Sequence, residues 1–153
     1  MQIQIRPAIE NDLKEMQQLF VETIQHSCRN DYSQEQIDVW ISSVTNNERW
    51  ESLLKNQYCI IAETDNKIVG YGSLEDGNYV DFMYVHKDYL RQGVANRIYQ
   101  ELERESKRCG YSKMTSDVSK TARPFFEKKG FKVIRKNKKE INGVEISNFH
   151  MSQ

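Results

Sequence analysis

The chain is poor in the features that would staple or anchor it. Its three cysteines, Cys28, Cys59 and Cys109, are odd in number, far apart and in no CxxC spacing. That usage points to reduced thiols and a cytoplasmic setting. With only 2 Pro and 7 Gly, the chain cannot be collagen-like or linker-rich. No apolar run approaches the ~20 residues that a membrane span needs. The N-terminal MQIQIRPAIE lacks the basic start and apolar run of a signal peptide. Net charge is absent too: 22 Lys plus Arg cancel 22 Asp plus Glu, which argues against a generic nucleic-acid or membrane-surface partner. No His, Cys and carboxylate set has metal-ligand spacing, so no metal is expected.

What is present is a globular composition. Apolar residues make up 38% and charged residues 29% of 153, enough for one domain over residues 1–153 with a core of its own. The charge is uneven along the chain. Residues 1–76 hold 6 basic and 13 acidic side chains, and residues 77–153 hold 16 and 9. A basic second half suits an anionic ligand and an acidic first half a cationic one, although scattered surface pairs would look the same.

The periodicity predicts alternating element types. Gln2 to Arg6 reads as a strand stopped by Pro7. Leu13, Met16, Phe20 and Ile24 recur at helical spacing. Ser33 and Gln36 have capping-box spacing and open a second helix with Ile37, Trp40 and Ile41 on its apolar face. A short helix over Glu48 to Leu54 precedes strands at Tyr58 to Thr64, Ile68 to Leu74 and Tyr79 to Val85. A helix from Gly93 to Arg108 carries Val94, Ile98 and Leu102 at i, i+4 and i+8. A strand at Lys113 to Asp117 leads to a helix capped by Ser119 or Thr121 and ending at Gly130. Two strands flanking Asn142-Gly143, a strong hairpin signal, close the chain. This order predicts an α/β (α+β) fold, a mixed sheet with helices packed on it.

The segment that carries chemistry is Val85-His86-Lys87-Asp88-Tyr89-Leu90-Arg91-Gln92-Gly93-Val94-Ala95-Asn96. A strand runs into a tight loop, and a helix opens at small residues. Unpaired N–H groups at a helix start form an anion site that a phosphate can approach closely beside Gly93 and Ala95. VHKDYLRQGVA resembles the acetyl-CoA-binding loop of the GCN5-related N-acetyltransferases (GNAT), whose signature is Q/R-x-x-G-x-G/A. Ala122 to Phe131, ARPFFEKKGF, is similar to that family's A-x-x-F-Y-x-x-x-G-F segment, and the element order matches throughout. Asp31 to Gln36 through Trp40 further resembles an uncharacterised bacterial subgroup.

The resemblance implies a mostly antiparallel sheet, helices on both faces and a central splay between the strand ending at Val85 and the strand at Lys113 to Asp117. It implies direct acetyl transfer from acetyl-CoA, as co-substrate, to a primary amine of a small molecule or peptide, by a monomer or homodimer. Pantetheine would lie along Met83, Tyr84 and Val85. The pyrophosphate would lie across Arg91, Gln92, Gly93, Val94, Ala95 and Asn96. Ser119 stands where the family often has an asparagine that touches the pantetheine arm. Asp81 is the first candidate base, expected on the face of Met83 and Val85, and His26 the second. His86 and His150 are assigned no role. Tyr32 and Trp40 are candidate walls of an acceptor pocket, and Lys128-Lys129 and Lys136 to Lys139 read as solvated charge. Two departures stand out. Leu90 replaces the first Q/R of the loop, and Phe126 occupies the position of the tyrosine acid, where a phenyl ring has no proton to give. The latter keeps open a non-catalytic acyl-CoA sensor.

Overall fold

Alternation along the central strands separates two apolar layers, and helices cover both. The computed structural model describes residues 1–153. The chain runs β1 (Gln4–Pro7), α1 (Leu13–Ser27), α2 (Gln34–Ile41), α3 (Asn47–Asn56), β2 (Tyr58–Thr64), β3 (Lys67–Glu75), β4 (Tyr79–Val85), α4 (Val94–Arg108), β5 (Thr115–Val118), α5 (Arg123–Lys128), β6 (Lys132–Ile141) and β7 (Val144–Ser152). All seven strands join one sheet in the order β1-β2-β3-β4-β5-β7-β6. Only β4 and β5 pair in parallel; the other neighbours are antiparallel.

In β2, Cys59 and Ile61 enter the layer under α1, α2 and α3, together with Met16, Phe20, Ile24 and Trp50. Ile60 and Ala62 enter the other layer, with Val94, Ile98 and Leu102 of α4 and Phe126 and Phe131. The expected apolar stripes of α1 and α4 thus become the two cores. The caps follow local chemistry. Gln36 N–H donates to Ser33 Oγ at 3.1 Å, and Gln36 Oε1 accepts from Ser33 N–H at 2.9 Å, which completes the capping box of α2. Asn142 and Gly143 have φ of 50° and 80°, the left-handed pair that a two-residue hairpin needs. The lysines of β6 lie mostly exposed on an edge strand, where charge discourages pairing with another sheet.

Arg6 clamps the N-terminal strand. Its guanidinium donates twice to Asp12, at 2.8 Å each, and its Nε lies 3.1 Å from Glu63. Asp12 also accepts from Ile9 N–H at 2.8 Å. The Arg6 hydrogen bonds hold the Asp12 carboxyl below its ordinary range despite its burial. A depressed carboxylate stabilises the fold fully above its unfolded pKa of about 3.9 and loses that contribution as pH falls through the folded value. Asp12→Ala should therefore cost about 2 kcal/mol at neutral pH. The difference between variant and parent in urea unfolding should shrink progressively as pH falls below the unfolded value of about 3.9.

Two features shape the centre of the sheet. The register between β3 and β4 slips between Gly72 and Leu74, which face Met83 and Val80. Two residues of β3 thus span three of β4, so β4 carries a bulge at Asp81 and Phe82. Ser73, fully buried, accepts from Phe82 N–H at 3.1 Å and so satisfies the bulged backbone. Next to it, β4 and β5 share only the pairs Tyr79–Thr115 and Val80–Ser116. Beyond these the strands diverge, and this is the expected splay.

Candidate active site

The open edge of β4 follows from its ladder with β3. His86 N–H donates to Val69 O, and Tyr84 faces Tyr71 two residues earlier. Hydrogen-bonded and outward residues alternate in an antiparallel pair, so Met83 and Val85 aim their N–H and C=O groups into the splay. Tyr84 instead belongs to the ladder with β3. The Thr23 hydroxyl of α1 donates to Val85 O at 2.8 Å and ties that helix to the open edge. A carbonyl has a second lone pair, so this edge can still accept an added extended chain.

From Val85 the chain reaches α4 through a short turn. His86, buried, accepts from Asp88 N–H through Nδ1 at 3.0 Å and stacks edge-on against Tyr89. Burial and then Lys67 push its pKa down. His86 is a neutral cap of the turn. The backbone then enters the left-handed region at Arg91 and Gly93, with φ of 59° and 85°. A Cβ on Gly93 would meet nothing within 4 Å, so glycine is required there for its φ. The first helical bond runs from Arg97 N–H to Gly93 O, and no acidic residue lies in the first turn of α4. The N–H groups of Val94, Ala95 and Asn96 therefore lack helical partners at the positive end of a 15-residue helix. Val94 offers only its backbone, since its side chain is in the core. Arg91, Gln92 and Asn96 are exposed around it. This is an anion cradle of the kind the loop sequence predicts.

Several expected residues sit elsewhere. The bulge turns Asp81 onto the face of Phe82, opposite Met83 and Val85. There its carboxylate accepts from Gln57 Nε2 at 2.7 Å and pairs with Arg49 at 3.2 Å. Arg49 in turn lies 4.5 Å over the Phe82 ring. Asp81 is thus a tethered anion on the Phe82 face of β4. His26 is exposed at the end of α1 and its side chain makes no hydrogen bond. Tyr32 is 5% exposed; its hydroxyl accepts from Lys120 N–H at 3.0 Å and donates to Ser147 O at 2.8 Å. It bolts the α1–α2 loop to β7 and to the loop after β5, so it is structural. Trp40 packs edge-on against it at 5.4 Å and remains half-buried. Ser119 Oγ accepts from Ala122 N–H at 3.0 Å and keeps a hydroxyl proton to donate. Phe126 is 3% exposed, edge-on to Phe131 at 5.0 Å, so its ring does not line an open surface.

The polar groups that do meet at the splay carry no motif. Asp117 is the first residue of β5 beyond its pairing with β4, and its register partner on β7 is His150. Asp117 Oδ1 lies 2.9 Å from His150 Nδ1 and accepts from Asn137 Nδ2 at 2.8 Å. Its Oδ2 accepts from the Tyr79 hydroxyl at 2.6 Å. Burial alone would raise the Asp117 carboxyl, but the bonds from Tyr79, His150 and Asn137 more than reverse it and hold it below the usual range. Nearby, burial lifts the Tyr84 phenol above its ordinary value, Cys28 and Asp81 add to that, and Arg49 and Trp40 oppose it. Tyr79, Asp81, Asp117 and His150 thus gather at the closed end of the splay. No His, Cys and carboxylate cluster fit to hold a metal is present.

The model of the acetyltransferase (GNAT) domain family matches residues 28–153. The chain belongs to the GCN5-related N-acetyltransferase family. Over 149 residues it is 30% identical to YafP of Escherichia coli (strain K12), an uncharacterized N-acetyltransferase, with 97% of this chain and 94% of that one covered. A GCN5-related N-acetyltransferase from Rhodopseudomonas palustris is similar at a TM-score of 0.94 and 29% identity, over 100% of this chain and 96% of that one. The fold is also that of the PaiA N-acetyltransferase from Thermoplasma acidophilum, solved in complex with coenzyme A. That match has a TM-score of 0.81 at 21% identity and covers 100% and 99% of the two chains. As a GNAT enzyme the protein is an acetyl-CoA-dependent acetyltransferase, and its sheet, splay and helix order are those the loop resemblance implied. No helix is long and apolar enough to cross a membrane.

Proposed function

We propose that this enzyme transfers the acetyl group directly to a primary amine of a small molecule or peptide, with CoA held along the open edge of β4. One observation carries the reading: the outward backbone of Val85 and Met83 lies between the anion cradle at α4 and the closed end of the splay. In this reading the pyrophosphate lies on the N–H groups of Val94 to Asn96, beside Arg91. The pantetheine amides pair with Val85 and Met83 as an added strand would, and Ser119 donates to them from the opposite side. The thioester then arrives beside Asp81 and Asp117, where the polar cluster faces the acceptor. The amine nitrogen attacks the carbonyl carbon, the C–S bond breaks, and CoA leaves as thiolate.

Phe126, at the position where the family resemblance implies a tyrosine acid, bears on how that thiolate leaves. A ring without a proton cannot serve as the acid, but a thiol of pKa about 8.5 leaves tolerably as its anion. The same residue supports a second reading, a sensor that binds acyl-CoA without turnover. Thiol release from acetyl-CoA, followed over a panel of primary amines, separates the two. For the enzyme, kcat/KM should rise with pH and level off, with no descending limb in the phenol range near about 10. Tight acetyl-CoA binding without thiol release for any amine would establish the sensor.

A further inference from the structure

The mechanism above needs a base. Asp81 shares the face of Asp117 and His150, but its carboxylate is engaged by Arg49 and Gln57, and His26 is exposed at the C-terminal end of α1 with no side-chain partner to orient it. We propose that His150, oriented by Asp117, is the general base that takes the proton of the acceptor amine. This rests on the CoA path along β4 proposed above.

The argument starts from the strands. Asp117 and His150 are register partners on β5 and β7, so their side chains stand on one face of the sheet. Val118 and Met151, the next residue of each strand, enter the core beneath α4. Asp117 and His150 therefore face the opposite side, where Asp81 and Tyr79 also stand. Asp117 lies one residue beyond the last β4–β5 pair, at the point where a thioester lying along Val85 and Met83 would end.

The hydrogen bonds then determine the tautomer. Asp117 is acceptor-only when ionised, and it accepts from Tyr79, Asn137 and His150 together. The Asn137 amide is also held by Asn148 Oδ1 at 2.8 Å, so the carboxylate is fixed in orientation. Against such a carboxylate His150 must present Nδ1 as a donor. The neutral ring then carries its lone pair on Nε2, which points away from Asp117. The side chains of His150 and Asp117 are 20% and 29% exposed, within reach of a substrate yet packed enough to hold their geometry.

The groups facing His150 come from three strands. Asp117 on β5 favours the imidazolium that forms, and Arg135, its partner on β6, opposes it; Arg135 Nε is drawn aside to Asn137 Oδ1 at 3.2 Å. Tyr79 and Asp81 approach from β4, and α2 meets β7 further along, through Gln36 and Glu145 O. In the step itself, the ammonium first gives one proton to solvent. The neutral amine's nitrogen pair then forms the C–N bond as the C–S bond breaks, and His150 Nε2 takes the second proton from that nitrogen. The imidazolium returns its proton to the departing thiolate or to water, so no separate acid is required.

The test compares the parent, His150→Gln and Asp117→Asn. Turnover is read as thiol release with the amine panel and, independently of any acceptor, as slow hydrolysis of acetyl-CoA, in which water supplies the proton. Acetyl-CoA affinity is measured by calorimetry and folding by thermal melting. His150→Gln should lose about 100-fold or more in kcat/KM, keep the parent's CoA affinity and melting temperature, and lose the break in its pH–rate profile. Asp117→Asn should lower kcat/KM and shift the same break, because an amide no longer holds the ring in one tautomer. A folded His150→Gln that keeps the parent's pH profile overturns the proposal, as does a parent that binds acetyl-CoA but releases no thiol. A parent that does not bind acetyl-CoA overturns the CoA path as well, which separates the two failures.

Discussion

Gly93→Asp should bind CoA at least ~100-fold more weakly than Gly93→Asn, in protein that is folded in both cases. The two substitutions are alike in size, and both place a side chain at a φ of 85°. Asn and Asp tolerate the left-handed region better than other non-glycine residues, so the backbone strain is shared. What differs is charge. A carboxylate at the helix N-cap would sit against the N–H groups of Val94 to Asn96 and occupy the cradle with an internal anion. It would also meet the pyrophosphate: two unit charges about 4 Å apart repel by about 4 kcal/mol at an effective dielectric near 20. Space does not enter, because nothing lies within 4 Å of a Cβ at that position. Calorimetry at two salt concentrations reads the result. Equal affinities for the two variants would mean that the phosphates lie elsewhere.

Gly70→Val should lower the melting temperature by about 10 °C, the largest stability loss expected for a single substitution here. A Cβ on Gly70 would stand 2.8 Å from Ile98 Cδ1, 2.9 Å from Tyr84 O and 3.0 Å from Val94 Cγ1. One contact is backbone of the neighbouring strand, and the others belong to buried side chains of α4, so none can move aside freely. Gly72 is similar, with Ile98 Cγ2 at 2.6 Å. The two glycines let α4 lie close upon β3, and Val94 is the first residue of that helix. The same substitution should therefore weaken CoA binding, because lifting α4 displaces the cradle at its N-terminus. Removing Ile98 Cδ1 in a Gly70→Val/Ile98→Val double variant should recover part of the loss, since these neighbours share one contact. A single variant that melts with the parent would refute the packing argument.

Element types and most of their boundaries were legible in the residues. Tyr58–Thr64 and Tyr79–Val85 are strands with the bounds that alternation sets, and the capping box and the Asn142-Gly143 turn form as their chemistry requires. These signals act within a few residues, so they need no partner to be read. The anion cradle was legible for the same reason: a glycine, a helix start and the absence of acid in its first turn lie within one short segment.

The sequence by itself thus determined the two-faced sheet, the family and the anion cradle at the start of α4, because each depends on local period, turn chemistry or a contiguous motif. Only the tertiary structure decided which polar groups stand at the closed end of the splay. The face of Asp81 depends on a bulge created by pairing against β3, with Ser73 closing the unpaired amide. Alternation along β4 alone puts Asp81 with Met83 and Val85, and one extra residue reverses it. Tyr32 becomes a bolt only when β7 and the loop after β5 arrive at its hydroxyl. Asp117 and His150 are 33 residues apart, on strands that neither motif touches, and their pairing is a property of register. A hydrogen bond between strands is set by the whole sheet, so no window of sequence contains it.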